Sequence, residues 1–286
     1  MNNEFNCIFH KIKSLFIQSF KEKLNLTSRE ASIELNLIFQ HVMKCKFSQI
    51  ITNSFEISKK KESQIEKLIT KRLSGTPLAY LFREWSFYGR KFYVNNASLI
   101  PRADTELIVD LLKDELKSHQ NLSLLDLGSG TGVIGISAKL EIEQITELTL
   151  SDISKRCVEL INKNLYFHEV KANVIQSNWF KNFPLNKYDI IVSNPPYIDQ
   201  NDRHLDDLKF EPKKALISKK NGLNDIEIIL KEAYDYLKEN GAIYIEHGYN
   251  QGKDVIKLFN DNGFQKNKCF KDINGNERVS RGYKLN

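Results

Sequence analysis

Apolar residues recur at helical spacing from the start of the chain. Ile8, Ile12, Leu15, Phe16 and Phe20 fall on one stripe of an amphipathic helix, with Lys11, Lys13 and Lys21 interspersed. Thr27-Ser28-Arg29-Glu30 has the form of a capping box, in which the Thr27 hydroxyl and the Glu30 carboxylate satisfy two orphan backbone N–H groups. Ile33, Leu37, Ile38 and Val42 continue a second helix, and a third is predicted over 58–73, stopped by Gly75 and Pro77. Three such helices make a small bundle. From Trp85 to Ile100 the pattern turns aromatic and β-branched around Gly89-Arg90, which predicts a hairpin.

Pro101 marks a boundary, and a helix is expected over 104–117. Beyond it, strand patterns at 123–127, 147–151, 173–176, 188–193, 242–247 and 264–270 alternate with helical ones, clearest at 154–167 and 223–239. This alternation predicts an α/β fold, a mostly parallel sheet covered on both faces, with 277–284 as one more, antiparallel strand. Three segments follow: a helical domain over 1–84, a β-hairpin linker over 85–100 and an α/β domain over 101–286.

Charge refines this picture. Residues 1–100 hold sixteen Lys and Arg against eight Asp and Glu, and the remainder twenty-six against twenty-eight, so the whole positive excess lies in the first third. A basic segment of this kind suits an acidic partner or a solvated lysine-rich face such as Lys59-Lys60-Lys61. No apolar run approaches the ~18 residues of a membrane span, and the lysines of the first helix are unlike a signal peptide. A cytoplasmic location is therefore expected. Cys7, Cys45, Cys157 and Cys269 are widely spaced, with no CxxC or HExxH pattern, so reduced buried thiols are expected and no metal site.

Two motifs carry chemistry. The strand ending at Leu127 runs into Gly128-Ser129-Gly130-Thr131-Gly132 and then a helix from Val133, a turn that brings backbone N–H groups close to a ligand. Asp152, at the tip of the next strand, is placed to accept from ribose hydroxyls. Counted from the strand end the loop reads GxGxG, with Val133 where the dinucleotide fingerprint has its third glycine. That resembles the first motif of Rossmann-like methyltransferases, although the loop alone leaves a nicotinamide enzyme open. After the third strand, Trp179 can cover an adenine ring, with packing in the core as its alternative.

The second motif is Asn194-Pro195-Pro196-Tyr197, at the C-terminal end of a buried strand. An amide or exocyclic amino nitrogen is a poor nucleophile because its lone pair is delocalised. Two acceptors, the Asn194 side-chain oxygen and the Pro195 carbonyl, can grip its N–H bonds and aim the lone pair at an electrophile. The prolines fix φ near −65°, and Tyr197 offers a flat face. No strong base is required, because the nitrogen becomes acidic only as it is alkylated, and orientation carries the rate.

With Pro77-Leu78-Ala79-Tyr80-Leu81, Leu99-Ile100-Pro101-Arg102, Phe210-Glu211-Pro212, Glu246-His247-Gly248 and Asn276-Glu277-Arg278-Val279, these motifs make the chain similar to a known family over about residues 77–282. It resembles the HemK/PrmC-type protein-(glutamine-N5) methyltransferases of peptide chain release factors. The resemblance implies a Rossmann-like class I methyltransferase domain with a seven-stranded sheet and S-adenosyl-L-methionine as cofactor. It implies cofactor contacts at Gly128, Ser129, Gly130, Thr131, Gly132, Asp152, Asn178, Trp179 and Asn194. Asn194, Pro195 and Tyr197 would be catalytic, and together with Pro196 they would bind the substrate glutamine of a release factor GGQ loop, docked by the basic helical domain. No membrane and no nucleic-acid substrate is expected. DNA or RNA exocyclic-amino methyltransferases, which share the NPPY motif, are the alternative. His247 is read as shaping a wall and not as a base. The chain departs from the family pattern at Arg83, usually glycine, Ala103, usually proline, and Asn178, usually an aspartate that accepts from the adenine amino group.

Overall fold

The computed structural model describes residues 2–46, 48–49, 57–181, 183 and 187–285, and of residues 2–11 the backbone alone. The side chains of Cys7, Ile8 and Lys11 thus lie outside the described residues. The chain forms two compact units, Met1–Arg83 and Glu84–Asn286.

The first unit holds α1 (Asn2–Leu24), α2 (Ser28–Met43), α3 (Lys59–Leu73) and a single-turn α4 (Leu78–Phe82). The capping box forms: Thr27 N donates to Glu30 Oε2 at 2.8 Å and Glu30 N donates to Thr27 Oγ1 at 3.2 Å. The buried face of α2 runs through Ala31, Leu35, Ile38 and Phe39, whereas Ile33 and, on α1, Leu15 are exposed. The stripe is therefore rotated from the expected one, because the face carrying Leu35 and Phe39 removes more apolar area from water. Arg72 of α3 grips Glu34 of α2 through two bonds of 2.7 and 2.9 Å.

The second unit opens on a hairpin, β1 (Glu84–Phe87) and β2 (Arg90–Tyr93). Its turn residues Tyr88 and Gly89 both have positive φ, 49° and 68°, which matches the twist of the flanking strands. Tyr88 is held there by Tyr88 N donating to Glu106 at 2.8 Å and its hydroxyl donating to Asp110 at 2.7 Å. The helix expected over 104–117 is a 3-10 turn, Ala103–Thr105, followed by α5 (Glu106–Glu115).

β3 (Leu122–Leu127), α6 (Val133–Glu141), β4 (Ile145–Asp152), α7 (Lys155–Phe167), β5 (Asn173–Gln176), β6 (Tyr188–Ser193), α8 (Asn224–Tyr236), β7 (Leu237–Glu246), α9 (Gly252–Asp261), β8 (Gln265–Lys271) and β9 (Glu277–Tyr283) complete it. The seven strands run in the order β5-β4-β3-β6-β7-β9-β8, parallel except for β9, which is antiparallel to both its neighbours. The predicted α8 overshoots: the helix stops at Tyr236 because Leu237 pairs with Tyr188 of β6, and sheet pairing overrides the helical pattern.

β3 and β6 are buried along their length apart from Asp189, and alternate residues feed two cores. Leu124, Ile190 and Val192 face a cluster with Ile108, Leu112, Ile134 and Ile161. Leu125, Leu127 and Ile191 face one with Ile226, Leu230, Val255 and Phe259. Helices thus cover both faces. Of the described cysteines only Cys157 is buried, while Cys45 and Cys269 are half-exposed, correcting the expectation of uniformly buried thiols: Cys269 lies on β8, at the edge of the sheet. No helix among the described residues is long and apolar enough to cross a membrane.

Candidate active site

The chain order reverses at β3: β4 and β5 add on one side, and β6 returns on the other. Open α/β sheets leave a crevice beyond the strand ends at such a point. Leu127 of β3 pairs with Ser193 of β6, so Gly128 and Asn194 leave neighbouring strands side by side. The two sequence motifs, far apart in the chain, therefore meet at one edge.

Gly128, Gly130 and Gly132 all take positive φ. At Gly128 the requirement is also steric, since a Cβ would lie 2.9 Å from Trp179 Cζ3. The loop is bonded within itself and to the end of β4: Ser129 N donates to Ser151 O at 2.8 Å, Gly132 N to Ser129 O at 2.7 Å, and Gly130 N to Asp152 Oδ2 at 2.9 Å. Thr131 O accepts from the fully buried Asn164, whose amide also exchanges bonds of 2.8 and 3.0 Å with Tyr93 N and O of β2. Asp126 is buried beneath the loop. Desolvation pushes its carboxyl up to about 7, against the bond that Gly135 N donates to it.

Asp152 closes β4 with its second oxygen accepting from Ser154 N at 2.8 Å, and burial raises its pKa. Ser177 N donates to the Asp152 carbonyl at 3.0 Å. Trp179 has φ +48°, packs on the second core and on Gly128, and donates from Nε1 to Asp225 at 3.2 Å. Its two expected roles, core residue and wall of the crevice, are both compatible with this position. The Asn178 side chain is exposed next to it.

Beyond β6, Asn194 is half-buried and Pro195 buried. Asn194 Nδ2 donates to Thr105 Oγ1 at 3.2 Å, which leaves Oδ1 to accept from something else. Asn194, Pro195 and Tyr197 line a pocket of about 510 Å³ with Leu99, Asp104 and Leu216. Its walls are pinned by Glu211, which accepts from Ile100 N at 2.9 Å and pairs with Arg102. The Tyr197 carbonyl accepts from Gln251 Nε2 at 3.0 Å, the Gln251 amide also reaching Asn221 O at 3.0 Å. The Tyr197 hydroxyl donates to buried Glu246 at 3.2 Å. His247 is fully buried, bonded to Gly248 O and Ser280 Oγ at 2.9 Å each, and is absent from the pocket lining.

Comparison with known proteins places this arrangement. Residues 17–82 match the PrmC N-terminal domain, and residues 103–209 the methyltransferase small domain. The chain is 35% identical over 280 residues to the release factor glutamine methyltransferase of Pasteurella multocida, covering 92% of this chain and 94% of that one. It is 33% identical over 271 residues to the release factor glutamine methyltransferase of Haemophilus influenzae, covering 90% and 92%. The chain belongs to the release factor glutamine methyltransferase family. A methyltransferase structure from Pyrococcus furiosus shares the fold, with a TM-score of 0.54 at 16% identity, covering 78% of this chain and all of that one.

The loop suits the cofactor of such a methyltransferase, S-adenosylmethionine, better than a dinucleotide. Three of its N–H groups are already bonded, two of them to β4, and the carboxylate bonded to Gly130 would repel a pyrophosphate. The cofactor of a methyltransferase brings no pyrophosphate to the loop. Gly135, on the first turns of α6, lies so close to β3 that a Cβ would be 3.0 Å from that of Asp126. Sequence reasoning missed Thr105, Asn164 and Gln251 as parts of the site. Signs were available in Thr105, which lies in a segment that carries the family resemblance, and in a polar Asn164 on the otherwise apolar face of α7.

Proposed function

We propose that the chain transfers the methyl group of S-adenosylmethionine to the side-chain amide nitrogen of the glutamine in a release factor GGQ loop. Gly128 to Gly132, Asp152, Asn178, Trp179 and Asn194 would hold the cofactor, which supplies an electrophilic methyl carbon when bound. The observation that carries the reading is Asn194, whose amide is anchored through Nδ2 to Thr105 at 3.2 Å. Oδ1 is then a fixed acceptor at the pocket where a planar amide can enter, and the Pro195 carbonyl is the second acceptor. Asn194 and Pro195 bind the two N–H bonds and turn the lone pair toward the methyl group, and Tyr197 supports the flat substrate. Positive charge developing on nitrogen strengthens both bonds, so they favour the transition state over the ground state.

We assign substrate docking to residues 1–84, which carry the basic excess, the hairpin of 85–100 to the join, and catalysis to 101–286, in the cytoplasm where termination occurs. Methylation of a nucleic-acid base is not favoured, because the relatives that match nearly end to end are named for release factors. Labelled cofactor, release factors, DNA and RNA are incubated with the protein, and the label is located by mass spectrometry. The reading expects it on the GGQ glutamine. Label on a base, with that glutamine bare, would overturn it.

A further inference from the structure

Glu246, at the C-terminal end of β7, is buried with 1% of its surface exposed. One oxygen accepts from the Tyr197 hydroxyl at 3.2 Å, and Oε2 is buried with no hydrogen-bond partner. Thr105 is buried, 3% exposed, and its hydroxyl is close enough to draw the Glu246 pKa down. The same Thr105 oxygen receives Asn194 Nδ2. A threonine hydroxyl has a single proton. If that proton goes to Glu246, the oxygen can only accept from Asn194.

We propose that Glu246 is a positioning residue for the methyl transfer: as a carboxylate it draws the Thr105 and Tyr197 protons to itself and so fixes which way the Asn194 amide faces. The inference rests on the proposed role of Asn194 Oδ1 as acceptor for the reacting nitrogen. An asparagine amide is nearly symmetric in shape, so packing alone does not choose between its two orientations. A charged acceptor two bonds away does. The amide group would meet an N–H donor in the wrong orientation with its own NH2, and the nucleophile would lose one of its two grips.

Protonation reverses the relay. A neutral Glu246 carries a proton of its own to donate, which frees Thr105 to donate to Asn194 and favours the flipped amide. Glu246 is faced by Tyr197 from the loop after β6, Asp104 and Thr105 from the 3-10 turn, Arg278 from β9 and, next in the chain, His247. Desolvation and Asp104 push its carboxyl up, Thr105, Tyr197 and Arg278 draw it down, and the balance is about 7. Burial lowers the His247 pKa, which disfavours the charged form of that ring. The rate should therefore rise with pH through about 7 as the carboxylate forms.

Single-turnover methylation at saturating cofactor, measured from about pH 5.5 to 9, tests this on the full-length protein. Glu246→Gln should lower the rate about 10- to 100-fold, remove the limb near pH 7, and weaken S-adenosylmethionine binding, read by calorimetry, far less than it lowers the rate. Thr105→Val should behave alike, while Thr105→Ser, which keeps the hydroxyl, should retain most of the rate. These variants also cover the case in which Glu246→Gln fails to fold. Wild-type rate and an intact acid limb in folded Glu246→Gln or Thr105→Val would overturn the proposal. Failure of the substrate reading would show instead in the wild-type protein, as label on another acceptor, and the variant-to-wild-type ratio is then read on that acceptor.

Discussion

Lys220, Asn221 and Gly222 are three successive residues with positive φ, 54°, 56° and 85°, and they bring the Gly222 Cα against the backbone of Tyr197. A Cβ there would stand 2.0 Å from Tyr197 O and 2.6 Å from Gln251 Nε2, where ordinary contact begins near 3.4 Å. Gly222→Ala must therefore drive the turn and the Tyr197 carbonyl apart by about 1.4 Å. The left-handed backbone costs about 1–2 kcal/mol for an L-residue, and the two Gln251 bonds that staple Tyr197 to Asn221 are worth about 1 kcal/mol each. Together these predict a loss of about 3–4 kcal/mol in unfolding free energy. Misplacing reacting groups by about 1 Å costs about 100-fold in rate, so kcat should fall by that order while cofactor affinity holds. Gly275→Ala is the control: its φ of 84° is the same, but nothing lies within 4 Å of the added carbon. It should lose stability alone. Denaturant unfolding, single-turnover rates and calorimetry on both variants give the comparison, and a folded Gly222→Ala protein with undiminished kcat would refute the steric argument.

Three further outcomes are expected. Asp152→Ala should strongly weaken S-adenosylmethionine binding, both by removing an acceptor for ribose and by leaving Gly130 N and Ser154 N without theirs; calorimetry with NADH as the comparison ligand checks it, and tight NADH binding alone would contradict the cofactor assignment. Asn178→Asp should tighten cofactor binding by roughly 0.5–1.5 kcal/mol if the side chain reaches the adenine amino group, the difference between a neutral and a charge-assisted bond, and unchanged affinity would place it elsewhere. Asp126 has a folded pKa of about 7 against 3.8 unfolded, so the folded state holds the proton longer and stability falls as pH rises between those values. Asp126→Asn should remove up to about 1.4 kcal/mol per pH unit of that decline, read by denaturant unfolding at several pH values.

Much of this was legible in the sequence because it is local. β5 and β6 occur at the bounds read for them, since short β-branched runs between turn residues have few other homes. The glycine loop and the NPPY segment announce themselves by backbone-restricting residues, and both occupy the predicted strand ends. What was hidden depends on partners distant in the chain. Thr105 matters through Asn194, Asn164 through Tyr93 and Gln251 through Tyr197, each pair separated by fifty residues or more. Leu237 reads as the continuation of a helix until Tyr188 is set beside it. On α1 the expected Ile12 and Phe20 are buried and Leu15 is exposed, whereas the face of α2 is shifted for a related reason: several apolar stripes compete on that helix, and only its neighbours select one.

The hairpin was read as a linker, but Asn164 gives it another standing. One carboxamide, with no exposed surface, clips the outer hairpin strand on one side and the Thr131 carbonyl on the other. A shortened protein begun at Pro101 would strip both bonds to Tyr93 from this amide and open a hole above α7. Its remaining bond to Thr131 O would then come from an unsupported side chain. The smallest fragment of this chain able to grip its cofactor is accordingly predicted to begin before the hairpin, at Glu84, and deletion series that cross Tyr93 should lose ligand affinity in one step, well before they reach any residue that touches the ligand.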